Sequence, residues 1–352
     1  MGLFPAKIVK AALLGGLAAL AAATAILAYS AYSYDRALAS DAPNGIDEEG
    51  YVRVGGINQW IQIRGRDRGN PVLLWLNGGP GFSTLGATIL YPKWERDFTI
   101  VMWDQRGEGK TFERTGPDIA STMSVARMTQ DGIELAEYLR AHLGKKKIGL
   151  LGHSWGSILG VHMVAGRPDL FYAYIGTGQV VQVARGMDEA YPALLARARR
   201  QHNDAAASAL AKVGPPPYAS LADYFVPLRW ANELDPPRKS KAPLATLPWR
   251  LFRSVILTRY VAAGVEYSQR VMSKPLLEED IAHVTSFAVP VILVQGSEDL
   301  VTPTALANRY FDMITAPDKQ FVVLPGDGHL AIFSDTDAFL RVLDERVRPW
   351  AR

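Results

Sequence analysis

Residues Ile148 to Gly156 read Ile-Gly-Leu-Leu-Gly-His-Ser-Trp-Gly. A short apolar run, Ile148 to Leu151, meets a G-x-S-x-G at Gly152 to Gly156 and then an apolar stretch that should stop near Gly166-Arg167-Pro168. This is the pattern of a strand feeding a helix through a very tight turn. Such a turn leaves its central residue strained and exposed, and flanking glycines remove the side chains that would collide there. Ser154 is therefore the candidate nucleophile.

Working outward, comparable apolar runs lie at Val72 to Leu76, Phe98 to Trp103, Tyr172 to Ile175, Val289 to Val294 and Phe321 to Leu324. Continuous short runs of this kind suit parallel strands buried on both faces. Helical patterns fall between several of them; one is capped by Ser124, runs to Leu143 and stops at Gly144. Upstream, Tyr51 to Gly65 alternates around Gly55-Gly56, the signature of a hairpin. Strands alternating with helices behind an opening hairpin indicate an α/β fold with a mostly parallel sheet.

One interval breaks the rhythm. Val180 to Phe287 holds no comparable strand, is rich in Ala, Arg and Pro, and reads as helical over Asp188 to Ala211. A structureless loop of that length is improbable inside a compact domain, so an inserted helical cap is expected. The chain then divides into a first core segment at 50–179, a cap at 180–287 and a second core segment at 288–352.

A serine hydroxyl becomes a nucleophile only when a base takes its proton. Of six histidines, only His283 and His329 lie more than a hundred residues beyond Ser154, and His283 precedes the last strands. His329 sits in Leu324-Pro325-Gly326-Asp327-Gly328-His329, directly after a strand. That is a strand's carboxyl end, where open α/β sheets place ligands. The acid is expected on the preceding loop, Gln295-Gly296-Ser297-Glu298-Asp299. Asp299 is the choice; Glu298 is its neighbour, and Asp327 is assigned to shaping the histidine turn. For the oxyanion, the Trp155 amide is one donor. The other is expected from Leu76-Asn77-Gly78-Gly79-Pro80-Gly81, with Gly79 ahead of Gly78. In Trp103-Asp104-Gln105-Arg106-Gly107, Asp104 and Arg106 are read as a bracing pair.

Composition narrows the chemistry. The 352 residues include no Cys, which excludes a thiol nucleophile, a disulfide scaffold and any Cys-ligated metal. A formal charge of +3 without a long basic run argues against nucleic acid. The apolar content is uneven, since residues 11–29 carry no charge and follow Lys7 and Lys10. This reads as a membrane-directed segment over 1–30, with a polar linker at 31–49. It is an uncleaved transmembrane signal anchor, or a signal peptide cleaved near Ala28-Tyr29-Ser30, or a greasy helix packed on its own domain. For either of the first two, the lysines favour a cytoplasmic N-terminus and an exported body, anchored at the membrane or secreted.

Five motifs together resemble the proline iminopeptidase family of α/β-hydrolase serine peptidases. They are Asn77 to Gly81, Trp103 to Gly107, Gly152 to Gly156, Gly296 to Asp299 and Gly326 to His329, in order across about residues 50–348. The resemblance implies a capped α/β-hydrolase core without metal or cofactor, and a triad of Ser154, Asp299 and His329. Two positions depart from the family pattern: Asn77 stands where His is usual, and Thr111 where Ser is common. The family also holds a free amine with cap glutamates, for which Glu233 and Glu266 are the candidates here. The expected function is hydrolysis of an amide or ester in a small molecule or short peptide. An aminopeptidase of proline iminopeptidase type stands ahead of a carboxylesterase. A non-catalytic binding protein of the same fold is the rival from another class.

Overall fold

The structure, a computed structural model, describes residues 6–39, 42–84 and 87–351. Residues 1–5 of the expected anchor, 40–41 of the expected linker, 85–86 of the first core segment and 352 of the second lie outside the described residues.

The sheet opens with β1 (Ile46–Val54) and β2 (Ile57–Gly65), an antiparallel hairpin. Val54 pairs with Ile57, so Gly55 and Gly56 form a two-residue turn, with φ of +57° and +78°. That turn type needs positive φ at both positions, which glycine alone adopts without strain. β3 (Val72–Leu76), β4 (Thr99–Asp104), β5 (Ile148–His153), β6 (Phe171–Thr177), β7 (Val291–Gly296) and β8 (Lys319–Leu324) follow. Among the described residues these eight strands form one sheet, ordered β1-β2-β4-β3-β5-β6-β7-β8. Every pairing from β4 to β8 is parallel.

The helices are α1 (Ala6–Leu38), α2 (Gly109–Thr115), α3 (Val125–Leu143), α4 (Trp155–Gly166), α5 (Val183–Arg200), α6 (Asp204–Val213), α7 (Leu221–Glu233), α8 (Leu247–Glu278) and α9 (Thr304–Met313), before short C-terminal turns. Each central strand buries both faces. In β3, Val72, Leu74 and Leu76 join one apolar core while Leu73 and Trp75 join the other. This alternation across the pleat explains why the run is apolar without a break. Ser124 caps α3 as expected, accepting from the Arg127 amide at 3.1 Å, and Gly144 ends it in the left-handed conformation.

Helices α5 to α8 fill the interval between β6 and β7 and have a small core of their own around Tyr191, Leu194, Leu210, Ala231 and Leu234. The helix expected over Asp188 to Ala211 is two helices. The chain breaks at Gln201 to Asn203, and the Asn203 side chain caps the second at 3.0 Å.

The expected linker at 31–49 is largely structured instead. Helix α1 continues to Leu38, and β1 begins at Ile46. The cause is tertiary: Ser30 and Tyr34 are buried, and α1 packs on the start of α8. By length and composition α1 is able to cross a membrane.

Candidate active site

The site lies at the carboxyl ends of β3, β5, β7 and β8. Ser154 sits between β5 and α4 with φ +52° and ψ −120°, a strained conformation for a side-chain-bearing residue. Its amide donates to the Thr177 carbonyl at 3.0 Å, which holds the turn. The glycines behave as their spacing implied. A Cβ on Gly156 would lie 2.2 Å from the Leu76 carbonyl oxygen, and one on Gly152 would lie 2.7 Å from that of Gly156.

Residues 145 positions apart or more in the chain, Ser154 with Asp299 and His329, are brought together here. His329 Nε2 lies 3.0 Å from Ser154 Oγ, and Nδ1 lies 3.0 Å from Asp299 Oδ2. Asp299 is itself pinned: its Oδ1 accepts the amides of Val301 and Thr302, at 2.9 and 2.8 Å. The Thr302 hydroxyl donates to Oδ2 at 2.7 Å and lies 3.2 Å from His329 Nδ1. Burial pushes the Asp299 carboxyl up, but the charge and hydrogen bond of His329 and the Thr302 donors outweigh it and hold the group below its ordinary value. For His329, burial acts downward, and the charge and hydrogen bond of Asp299 carry the imidazole above its ordinary value. His153 packs 5.0 Å from His329 and is driven down to about 3, first by burial and then by that neighbour, so it stays neutral.

The expected alternatives to Asp299 are occupied elsewhere. Glu298 pairs with Arg197 at 3.0 Å. Asp327 accepts from the Ser334 hydroxyl at 2.9 Å and from Lys239 at 2.9 Å.

Gly79, Ser154 and Trp155 face the same cleft. Gly79 has φ +133°, where a Cβ would strike the Gly81 amide at 2.6 Å. Gly78 lies against Ser154, a Cβ there falling 3.3 Å from the Cβ of the serine. This loop is fastened from below by a carboxylate that the sequence reading missed. Buried Glu108 accepts from the Gln105 amide at 2.9 Å, the Gly81 amide at 3.3 Å and the Asn77 side chain at 3.4 Å. Burial drives Glu108 well above the usual carboxylate range. The signal available was its place in a glycine-flanked block directly after a strand. Gln105 of that block accepts from the Trp155 indole at 3.1 Å, fixing the residue whose amide adjoins Ser154.

The expected Asp104–Arg106 pair does not form. Arg106 turns back to Asp131 of α3 at 2.9 Å and to the Gly55 carbonyl at 2.8 Å, whereas Asp104 accepts the Lys110 amide at 2.8 Å. Burial pushes Asp104 up to about 6. Both remain scaffold, but they brace different neighbours.

The cap departs most from expectation. The cleft beside Ser154, about 810 Å³ counting its open mouth, is walled on the cap side mainly by Met187, Leu194, Tyr224, Leu228 and Leu276, with Gln182, and among the described residues no Asp or Glu lines it. Glu233 is exposed and tied to Arg229 at 2.6 Å. Glu266 is exposed as well, and neither it nor Glu233 reaches the cleft. The cap carboxylate that does approach the site is Asp235, which accepts the backbone amides of His329 and Leu330 at 2.8 and 3.3 Å. Nothing in its proline-rich surroundings marked it.

Among the described residues no cluster of His, Asp and Glu could hold a metal ion. A family model described as the alpha/beta hydrolase fold matches residues 71–336. The chain belongs to the α/β-hydrolase fold family. A protein named probable aminopeptidase YbaC, from Bacillus subtilis strain 168, is 29% identical over 305 residues, covering 84% of this chain and 95% of its own length. Among solved structures, the proline iminopeptidase of Mycobacterium smegmatis superposes with a TM-score of 0.62 at 19% identity, covering 86% of this chain and 99% of that one. A membrane phospholipase A, described as a bacterial virulence factor, superposes with a TM-score of 0.61 at 15% identity over 98% of each chain. Peptidase and phospholipase match this α/β hydrolase equally well in shape. The shared fold therefore does not choose the substrate.

Proposed function

We propose that this α/β hydrolase cleaves an ester or amide through an acyl-enzyme on Ser154, and that the acyl group it accepts is apolar and lacks a free amine. His329, neutral at the start, takes the Ser154 proton as Oγ attacks the carbonyl carbon. The carbonyl π electrons move to oxygen, and the amides of Trp155 and Gly79 receive that charge at the N-terminus of α4. Asp299 keeps the imidazole oriented and balances its positive charge. His329 then returns the proton to the leaving alcohol or amine, and the C–O or C–N bond breaks. Water then attacks the acyl carbon as His329 takes its proton, the acyl–Oγ bond breaks with that proton passing to Ser154, and the acid is freed.

The observation that carries the acyl preference is the lining of the cleft, which is mainly apolar on its cap wall and among the described residues includes no Asp or Glu. A free α-amine buried there would lose its water without gaining a counter-charge. Aminopeptidase action of the proline iminopeptidase type is the second reading. It is supported by the name of the Bacillus relative and by the five shared motifs. Turnover of p-nitrophenyl butyrate against prolyl-naphthylamide separates the two. Faster hydrolysis of the butyrate ester is expected; faster hydrolysis of the prolyl amide sinks the apolar-acyl reading. Lys7 and Lys10 ahead of an apolar helix support an exported body.

A further inference from the structure

Large apolar side chains stand exposed in two places that touch. On α1, Leu14, Leu17, Leu20 and Ile26 are all more than half exposed, and so are Tyr29 and Tyr32. Around the start of α8, Leu244 is 84% exposed, and Leu247 and Phe252 are exposed beside it. Water is an unfavourable neighbour for an apolar patch of this kind, which marks an interaction surface.

Specific bonds join the two places. The Ser30 hydroxyl, buried, accepts the Trp249 amide at 2.9 Å, and Tyr34 is buried one turn further on. At the end of α1 the Leu38 carbonyl accepts from the Arg64 guanidinium, which Glu95 holds at 2.7 Å. The last third of α1 is thus built into the folded domain. Its apolar part leaves the domain at the level of Tyr29 and Tyr32, and Trp249 stacks on Phe252 with ring centres 5.5 Å apart. Aromatic residues gather where a chain passes from hydrocarbon to water.

Charge points the same way. From Pro236 to Val265 the sequence has no Asp or Glu, but it has Arg238, Lys239, Lys241, Arg250, Arg253 and Arg259. Lys239 is engaged by Asp327 at 2.9 Å. In a chain with 38 basic and 35 acidic residues, a stretch so one-sided is suited to an anionic surface.

We propose that this junction is a second membrane contact, in which the cap edge around Leu244 to Phe252 seats on the anionic bilayer that α1 spans. The apolar ridge enters the headgroup region and Arg238, Lys241 and Arg250 meet lipid phosphates. Helix α8 carries this seat at one end and the cleft-lining Leu276 near the other, so seating fixes the cleft relative to the lipid surface. The proposal rests on α1 as an anchor and is independent of the substrate reading.

The absence of Cys makes the test direct, because a single introduced thiol is the only one in the chain. Full-length Leu244→Cys, Leu20→Cys and Met313→Cys, each labelled with an NBD fluorophore, are reconstituted in phosphatidylcholine vesicles with and without phosphatidylglycerol. Parallel vesicles carry a brominated acyl chain as a quencher. Leu244 and Met313 are both exposed, so neither change should disturb folding. The label at 20 should be quenched by bromolipid, reporting insertion of α1. The label at 244 should shift to the blue and be quenched, more strongly with phosphatidylglycerol, while that at 313 should show neither effect. Overturning results are a label at 244 that behaves like the one at 313, or a blue shift at 244 that grows with protein concentration and ignores bromolipid. The second would mean that another copy of the chain covers the ridge. Failure of quenching at 20 would remove the bilayer on which the proposal depends and would leave the substrate reading untouched.

Discussion

Behind the core wall of the cleft, polar groups are held by fixed partners: Asp299 by the amides of Val301 and Thr302 and the Thr302 hydroxyl, Glu108 by three donors, and the Trp155 indole by Gln105. The cap wall is mainly apolar, with Met187, Leu194, Leu228 and Leu276 offering packing alone and Gln182 and Tyr224 its polar atoms. Hydrogen bonds fix direction as well as distance, whereas apolar contact is nearly direction-free. The chemistry is accordingly preorganised by the core. On the proposed reading, choice of acyl group is left to the cap wall.

The sharpest break of this comparison is Ser154→Ala, which should lower kcat for p-nitrophenyl butyrate by about 10⁶-fold while leaving ligand binding to the cap wall intact. Steady-state kinetics with product titration checks both halves. Next, Asp299→Asn should lower kcat by about 10⁴-fold through loss of the productive imidazole tautomer. Its pH profile is a further reading. Asp299 raises the pKa of His329, so the acidic limb of kcat/KM in the native enzyme should fall above the ordinary imidazole value of 6.5 and move down in the variant. A limb at or below 6.5 in the native enzyme would contradict the pairing.

Packing comes third. Gly156→Ala forces a methyl within 2.2 Å of the Leu76 carbonyl oxygen, where rigid backbone cannot yield. It should cost about 1–3 kcal/mol or more, read as a lowered Tm in thermal unfolding. On the cap wall, Leu228→Ala should reduce kcat/KM for the butyrate ester about tenfold relative to the acetate, with fluorophosphonate labelling of Ser154 unchanged. Equal losses for both esters would show that the cap wall acts on the chemistry rather than on choice. Smallest of all, Glu233→Gln and Glu266→Gln should stay within about twofold on every substrate, as expected of exposed carboxylates away from the cleft. A selective rise in KM for prolyl-naphthylamide would restore them as amine ligands.

Legibility followed the range of the contacts. The tight turn at Ser154 was readable because Gly152 and Gly156 act within a few residues of it. The central strands were readable because burial on both faces leaves an unbroken apolar run. His329 and Asp299 were found from chain order and from their place after strands. Arg106 was misjudged because its partner Asp131 belongs to another element, 25 residues on. Asp235 and the Ser30–Trp249 bond, spanning 94 and 219 residues, leave no local trace. That Glu233 and Glu266 stay exposed and outside the cleft lining has a related reason, since a helical cap fixes the direction of its side chains only once it has docked.

Local sequence was enough for the strained turn at Ser154, for the alternation of strands and helices and for picking out Ser154, Asp299 and His329, because backbone conformation and strand burial are set by near neighbours. Long-range packing settled the rest: that no Asp or Glu among the described residues lines the cleft, that Glu108 fastens the Asn77 to Gly81 loop and that α1 is joined to the cap. Each of these depends on which distant surfaces meet, and packing settles that for the chain as a whole.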